Sequence, residues 1–81
     1  MSTLAAIFAN SVRAERVRRG WKQADLAARC SWSVDVQGAV ERGSRQLTLD
    51  DIAVLCAALD LPLSRMLLGA EPDQVRPLGL S

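Results

Sequence analysis

The sequence predicts an all-α fold, a bundle of five short helices with a helix-turn-helix at its centre, on three observations. Leu26, Ala27 and Cys30 lie on one face of a helix starting near Gln23, and Val36, Ala39 and Val40 repeat that spacing after the three-residue break Ser31-Trp32-Ser33. Helix stops and starts punctuate the rest: Gly20, Gly43, Thr48 and Pro62 fall where apolar periodicity ends or resumes. With 81 residues, 49% of them hydrophobic, nearly every apolar side chain must serve a single core. Two short helices joined by so tight a turn cross steeply, and the second projects where a groove or a partner surface can receive it.

Ser2 or Thr3 can cap the first helix. Leu4, Ile7, Phe8, Val12 and Val17 supply its apolar positions, and Gly20 ends it in the left-handed conformation. Arg18 and Arg19 face the negative end of its dipole. Trp21 follows and is expected to fold back as a core anchor rather than stand out as a stacking platform. Lys22 occupies the cap of the second helix without a hydroxyl to offer, while Gln23, in the first turn, can reach a phosphate oxygen beside the free N–H groups of the helix start.

Ser33 caps the third helix, which runs to about Arg42. With Val34, Asp35, Gly38 and Ala39 outward, such a helix can touch a thymine methyl through Val34 or Ala39 and accept from a cytosine amino group through Asp35, but it is not expected to make the bidentate guanine contact. Gly38 in mid-helix costs roughly 0.5–1 kcal/mol relative to alanine and marks either a close backbone approach or a weak helix. Glu41 is expected to pair with Arg16 of the first helix as a partly buried bridge.

Gly43 closes the third helix, and Arg42-Gly43-Ser44-Arg45-Gln46 reads as a phosphate-gripping loop. Thr48, Asp50 and Asp51 open the fourth helix in a capping-box-like start, and Leu49, Ile52, Ala53, Leu55, Cys56 and Leu59 form its core stripe. Pro62 can begin a short fifth helix in which Leu63, Met66 and Leu67 close over the bundle before Gly69. Residues 1–69 are thus expected to form the helix-turn-helix domain. Residues 70–81, with two prolines and no sustained period, read either as a mobile tail or as an arm that docks on a second subunit through Leu78 and Leu80.

Composition excludes several classes of function. There is no histidine or tyrosine, and Cys30 and Cys56 lack Cys-x-x-Cys spacing, so no metal site and no imidazole-assisted nucleophile are expected. No cofactor and no catalysis are expected; both cysteines sit on apolar faces as small hydrophobes of a reducing, cytoplasmic setting. No apolar run reaches the roughly 18 residues of a membrane span, and the first ten residues carry no basic residue of the kind that opens a signal peptide. Net charge is only +1, yet its distribution is lopsided. Residues 1–22 hold Arg13, Arg16, Arg18, Arg19 and Lys22 against Glu15, whereas residues 47–81 hold Arg65 and Arg76 against five carboxylates. One basic end can lie against a polyanion even when the total is near zero.

The runs Val12-Arg13-Ala14-Glu15-Arg16, Gly20-Trp21-Lys22-Gln23-Ala24-Asp25-Leu26-Ala27, Val40-Glu41-Arg42-Gly43 and Leu47-Thr48-Leu49, with Ile52 and Ala58-Leu59-Asp60-Leu61, resemble the Cro/C1-type (XRE) helix-turn-helix regulators. The resemblance spans Phe8 to Leu68, and Glu41 to Leu49 looks particularly like the controller proteins of restriction–modification systems. It implies a lambda-repressor-like DNA-binding fold that acts as a homodimer on double-stranded operator DNA, with the third helix in the major groove. By the same resemblance Gln23 holds a phosphate, Ser33, Val34, Asp35 and Ala39 face DNA, the loop from Arg42 through Ser44 and Arg45 to Gln46 grips backbone, and Arg16 ties to Glu41. The chain departs from the family pattern at Lys22, Ser31, Val34, Gln37 and Ala39. A buried Gln37 requires hydrogen-bond partners, or else the helix is rotated so that Val36 takes its place.

Two functions follow. The first is a sequence-specific transcriptional regulator with Lys22, Gln23, Ser33, Arg42, Ser44, Arg45 and Gln46 on phosphates and Val34, Asp35, Gly38 and Ala39 toward bases. The alternative is a protein-interaction module in which Trp32, Val34 and Ala39 engage another protein.

Overall fold

A computed structural model of the chain describes residues 2–80. Its α-helices are α1 (Leu4–Arg18), α2 (Gln23–Cys30), α3 (Val34–Arg42), α4 (Leu49–Leu59), α5 (Leu63–Met66) and α6 (Pro72–Val75), the last followed by a 3₁₀ turn, Arg76–Leu78. The described residues contain no strand and one helix more than the five expected.

Local chemistry sets the boundaries. The hydroxyl of Thr3 accepts from Ala6 N–H at 3.1 Å, that of Ser33 from Val36 N–H at 3.2 Å and that of Thr48 from Asp51 N–H at 3.0 Å, each removing one orphan donor of a helix start. Lys22 offers α2 no acceptor, and the reciprocal half of a capping box stands in for it: Asp25 accepts from Lys22 N–H at 2.8 Å. Gly20 and Gly43 end α1 and α3 at φ +73° and +74°, as the sequence predicts. Ser31 ends α2 in the same left-handed region at φ +59°, a conformation that costs a side-chain-bearing residue about 1–2 kcal/mol. The strain is held by hydrogen bonds from Ser31 N–H to Ala28 O (3.2 Å) and from Trp32 N–H to Ala27 O (3.1 Å), which also fix the tight turn into α3.

The core draws on every major helix: Ile7, Phe8 and Val12 of α1, Leu26 and Cys30 of α2, Val40 of α3, Leu55 and Leu59 of α4, and Met66 and Leu67 at α5. α3 packs on both α1 and α2, and this contact orients it. Three expectations need correction. Val17 is exposed, on the outward side of α1 with Asn10, Arg13 and Ala14; Leu49 is 85% exposed at the start of α4; and Ala53 is likewise on the outer face. Pro62 stands at the cap of α5 rather than at its first position.

The segment after Gly69, read from sequence as a mobile tail or an arm for a second subunit, folds onto its own chain. Pro72 at the first helical position presets α6, and Gln74 ties it down by accepting from Glu71 N–H (2.9 Å) and donating to Ser2 O (2.8 Å). Ala70, Val75 and Leu80 then pack against the core, leaving Leu78 half exposed. No helix of the described residues is long and apolar enough to cross a membrane.

Candidate nucleic-acid interface

The outer face of α3 is the surface the fold prepares. Its inner positions Gln37, Val40 and Glu41 are buried, whereas Val34, Asp35 and Arg42 are exposed and Ala39 is half-buried. Ser33 lies exposed at the cap, so the first turn of α3 faces outward as expected.

What holds that face in place is a polar network running beneath it. Glu41, its side chain 3% exposed, accepts from Arg16 Nε at 2.8 Å and Nη2 at 2.9 Å, a bidentate pair between α1 and α3. Arg16 Nη1 also donates to Trp21 O at 2.7 Å, fixing the linker into α2. Gln37, fully buried, donates to Glu41 at 2.7 Å and accepts from Trp32 Nε1 at 3.0 Å. This settles the alternative left by the sequence: Gln37 is inside, with both ends of its amide satisfied, and the helix is not rotated. Gln23 donates to the other Glu41 oxygen at 3.4 Å. No buried side-chain polar atom among the described residues lacks a partner. Burial pushes the Glu41 carboxyl up, but the hydrogen bonds from Arg16, Gln37 and Gln23 outweigh it and hold the group below the usual carboxylate range. The same contact raises the Arg16 guanidinium further. The network stays charged at neutral pH.

The residues expected on phosphates divide into two groups. Lys22, Ser33, Arg42, Ser44 and Gln46 are exposed. Gln23 and Arg45 already have partners within the chain. Arg45 lies 3.3 Å from both oxygens of Asp51, with its guanidinium 5.9 Å from the centre of the Trp32 ring. The Thr48 backbone N–H and Arg45 together hold the Asp51 carboxyl below its ordinary range. The Ser44 hydroxyl donates to Ala39 O at 3.3 Å, extending the end of α3. Of the residues expected toward bases, Gly38 needs correction: it is buried, because the Arg42 guanidinium lies across it.

Sequence reasoning missed two pieces of this surface. Trp32 was not separable from an exposed contact, yet the acceptor it needs, Gln37, stands five residues on. Trp21 is the anchor expected, but its ring also meets two guanidinium groups, Arg29 at 3.9 Å and Arg19 at 5.6 Å from its centre. Arg19 in turn donates to Leu59 O at 2.8 Å, closing the end of α4. No cluster of metal-ligating side chains occurs among the described residues.

A family profile described as "Helix-turn-helix domain" matches residues 7–68, most of the chain. The chain belongs to the helix-turn-helix domain family. A relative from Neisseria meningitidis serogroup B, described as a hypothetical transcription factor, is 36% identical over 73 residues, 90% of this chain. The chain spans 66% of that relative's length. The crystal structure of a Neisseria protein of the same description is matched with a TM-score of 0.74 at 32% identity, over 93% of this chain and 84% of that one. A restriction–modification controller protein from Aeromonas hydrophila is matched with a TM-score of 0.71 at 31% identity, over 76% of this chain and 94% of that one. This helix-turn-helix chain also shares its fold with the clp gene regulator of C. glutamicum, at a TM-score of 0.76 and 22% identity, over 84% of this chain and 88% of that one. The resemblance to Cro/C1-type regulators and their controller-protein branch therefore extends from motif to fold.

Proposed function

We propose that the chain is a DNA-binding transcriptional regulator that acts as a homodimer on a pseudo-palindromic operator in double-stranded DNA, α3 entering the major groove of each half-site. The observation that carries this reading is the outer face of α3, held rigid by the Arg16–Glu41–Gln37–Trp32 network and flanked by Gln23 and Lys22 at the start of α2. On this reading Lys22 and Gln23 meet one phosphate strand and the Ser44–Gln46 loop another. Val34 and Ala39 offer methyl contacts to thymine, and Asp35, which has no partner among the described residues, accepts from a cytosine amino group. Arg45 reaches a phosphate by exchanging Asp51 for it. The relatives' descriptions as a transcription factor and a controller protein support the same reading.

The second copy is proposed to cover the exposed leucines beside an entirely apolar cleft of about 210 Å³ lined by Leu4, Phe8, Leu49, Ile52, Leu63, Leu67 and Leu78. The protein-interaction alternative loses support from Trp32. That reading needs the indole free, and it is half-buried and bonded to Gln37.

The test is a gel-shift titration at rising salt with sedimentation alongside. Regulator activity predicts a dimer, binding at low salt and a log–log salt slope of roughly −0.9 per phosphate neutralised. Folded protein that binds no DNA at low salt refutes the reading.

A further inference from the structure

Resting on the DNA-binding reading above, we propose that Arg42 reads a guanine in each half-site, and that Gly38 is the notch that lets it do so. Arg42 belongs to the last turn of α3, where an arginine serving only the phosphates would reach beyond the helix end. Instead its side chain runs back one turn, in the direction helical side chains favour, and its guanidinium lies across Gly38. A methyl group placed on Gly38 would stand 3.0 Å from Arg42 Nη1 and 3.9 Å from its Cζ, with the Gln23 amide oxygen 3.7 Å away. Gly38 has no positive φ that would require a glycine, so the close approach is what its missing side chain permits.

Arg42 is exposed and, among the described residues, forms no ion pair and donates no side-chain hydrogen bond. Arg16, Arg18, Arg19, Arg45 and Arg76 each hold a carboxylate. The exposed guanidinium therefore lies over Gly38 on the side of α3 near Gln23, with its planar fork of donors unspent. That fork matches the O6 and N7 acceptors of guanine in the major groove. It supplies the contact that Val34, Asp35, Gly38 and Ala39 cannot make by themselves.

The test is selection of binding sites from a randomised duplex library, followed by titration of the selected site and its variants. Wild-type protein is expected to select one guanine per half-site, to lose roughly 5- to 150-fold in affinity when that base pair is changed, and to lose several-fold when the guanine is replaced by 7-deazaguanine, which lacks N7. Arg42→Lys keeps the charge and is expected to keep the salt slope while losing the guanine preference. Gly38→Ala, which helix propensity favours, is expected to remain folded and to weaken the preference with Arg42 still present. The inference is overturned if Arg42→Ala weakens every site by one factor, Arg42→Lys restores full binding and 7-deazaguanine has no effect; the DNA-binding reading would survive that result. Absence of any binding by folded wild-type protein would remove both.

Discussion

Glu41→Gln tests how α3 is held. In the wild-type chain the Glu41 side chain is 3% exposed and that of Arg16 12%, so solvent screens the pair little. Arg16 places two donors on Glu41 at 2.8 and 2.9 Å, and Gln37 adds a third at 2.7 Å. An amide at position 41 keeps the shape, removes the counter-charge and turns an NH₂ toward at least one donor. Breaking a buried pair from one side costs about 3–5 kcal/mol, a large share of the roughly 4–12 kcal/mol available to a chain of this length. At about 4–8 °C per kcal/mol, Tm should fall by well over 10 °C. Urea titration followed by tryptophan fluorescence suits the question, because Trp32 and the Trp21 carbonyl both touch the network. Replacing both partners, Arg16→Met with Glu41→Leu, should recover part of the loss: no charge is then stranded, although the buried Gln37 amide loses its acceptor. The pH dependence follows in sign. A carboxyl whose folded-state pKa is lowered contributes stability that is present at neutral pH and lost as pH falls through and below the ordinary carboxylate range near 4.5. The variant should lose that part of the acid slope. A cost below about 1 kcal/mol, with the double replacement worse than the single, would refute the reasoning and reduce the bridge to a surface pair.

Ser31→Gly relieves the left-handed backbone at φ +59° and should stabilise the chain by about 1 kcal/mol, read as a Tm rise of several degrees. Burial pushes the Cys30 thiol up to about 11, so at pH 8 its thiolate fraction is on the order of a thousandth, and mass spectrometry should find it unalkylated in the native state and fully alkylated in urea. Leu80→Ala should cost about 1 kcal/mol by uncovering the α6 end of the core, a loss that a free tail would not show in the same urea titration.

Most of the fold was legible because its punctuation is covalent and local. Thr3, Ser33 and Thr48 cap the helices the sequence assigns to them, and Gly20 and Gly43 stop two of the same helices, since a hydroxyl three residues before an amide or a tolerated positive φ needs no tertiary context. The tail escaped because its ordering is tertiary. Leu80 and Val75 find the core, and Gln74 finds Ser2, across about seventy residues that no local window spans. The Arg16–Glu41 tie was read correctly from charge alone, whereas the commitment of Arg45 to Asp51 was not, because Asp51 was already explained as a helix-start carboxylate. The path of Arg42 over Gly38 was hidden for a related reason: one residue was assigned to a loop and the other to a helix face, and only the coordinates show them in contact.

Pairing also changes what the charge distribution means. The basic excess counted over the first 22 residues is largely consumed internally: Glu15 takes both Arg18 and Arg19, whose contacts hold its carboxyl below the usual range, and Glu41 takes Arg16. Among the described residues of that stretch, Arg13 and Lys22 are left without a carboxylate partner, and α3 adds Arg42. A chain of net charge +1 with half of its ten cations already paired to carboxylates gains little from counterion release alone. On the proposed reading its affinity must therefore come from where those cations stand, and a rigid network beneath α3 is the physical means of fixing that position. On the same reading, random sequence is bound weakly, and discrimination between operator and non-operator DNA rests on the geometry of a single helix face rather than on the strength of the field around it.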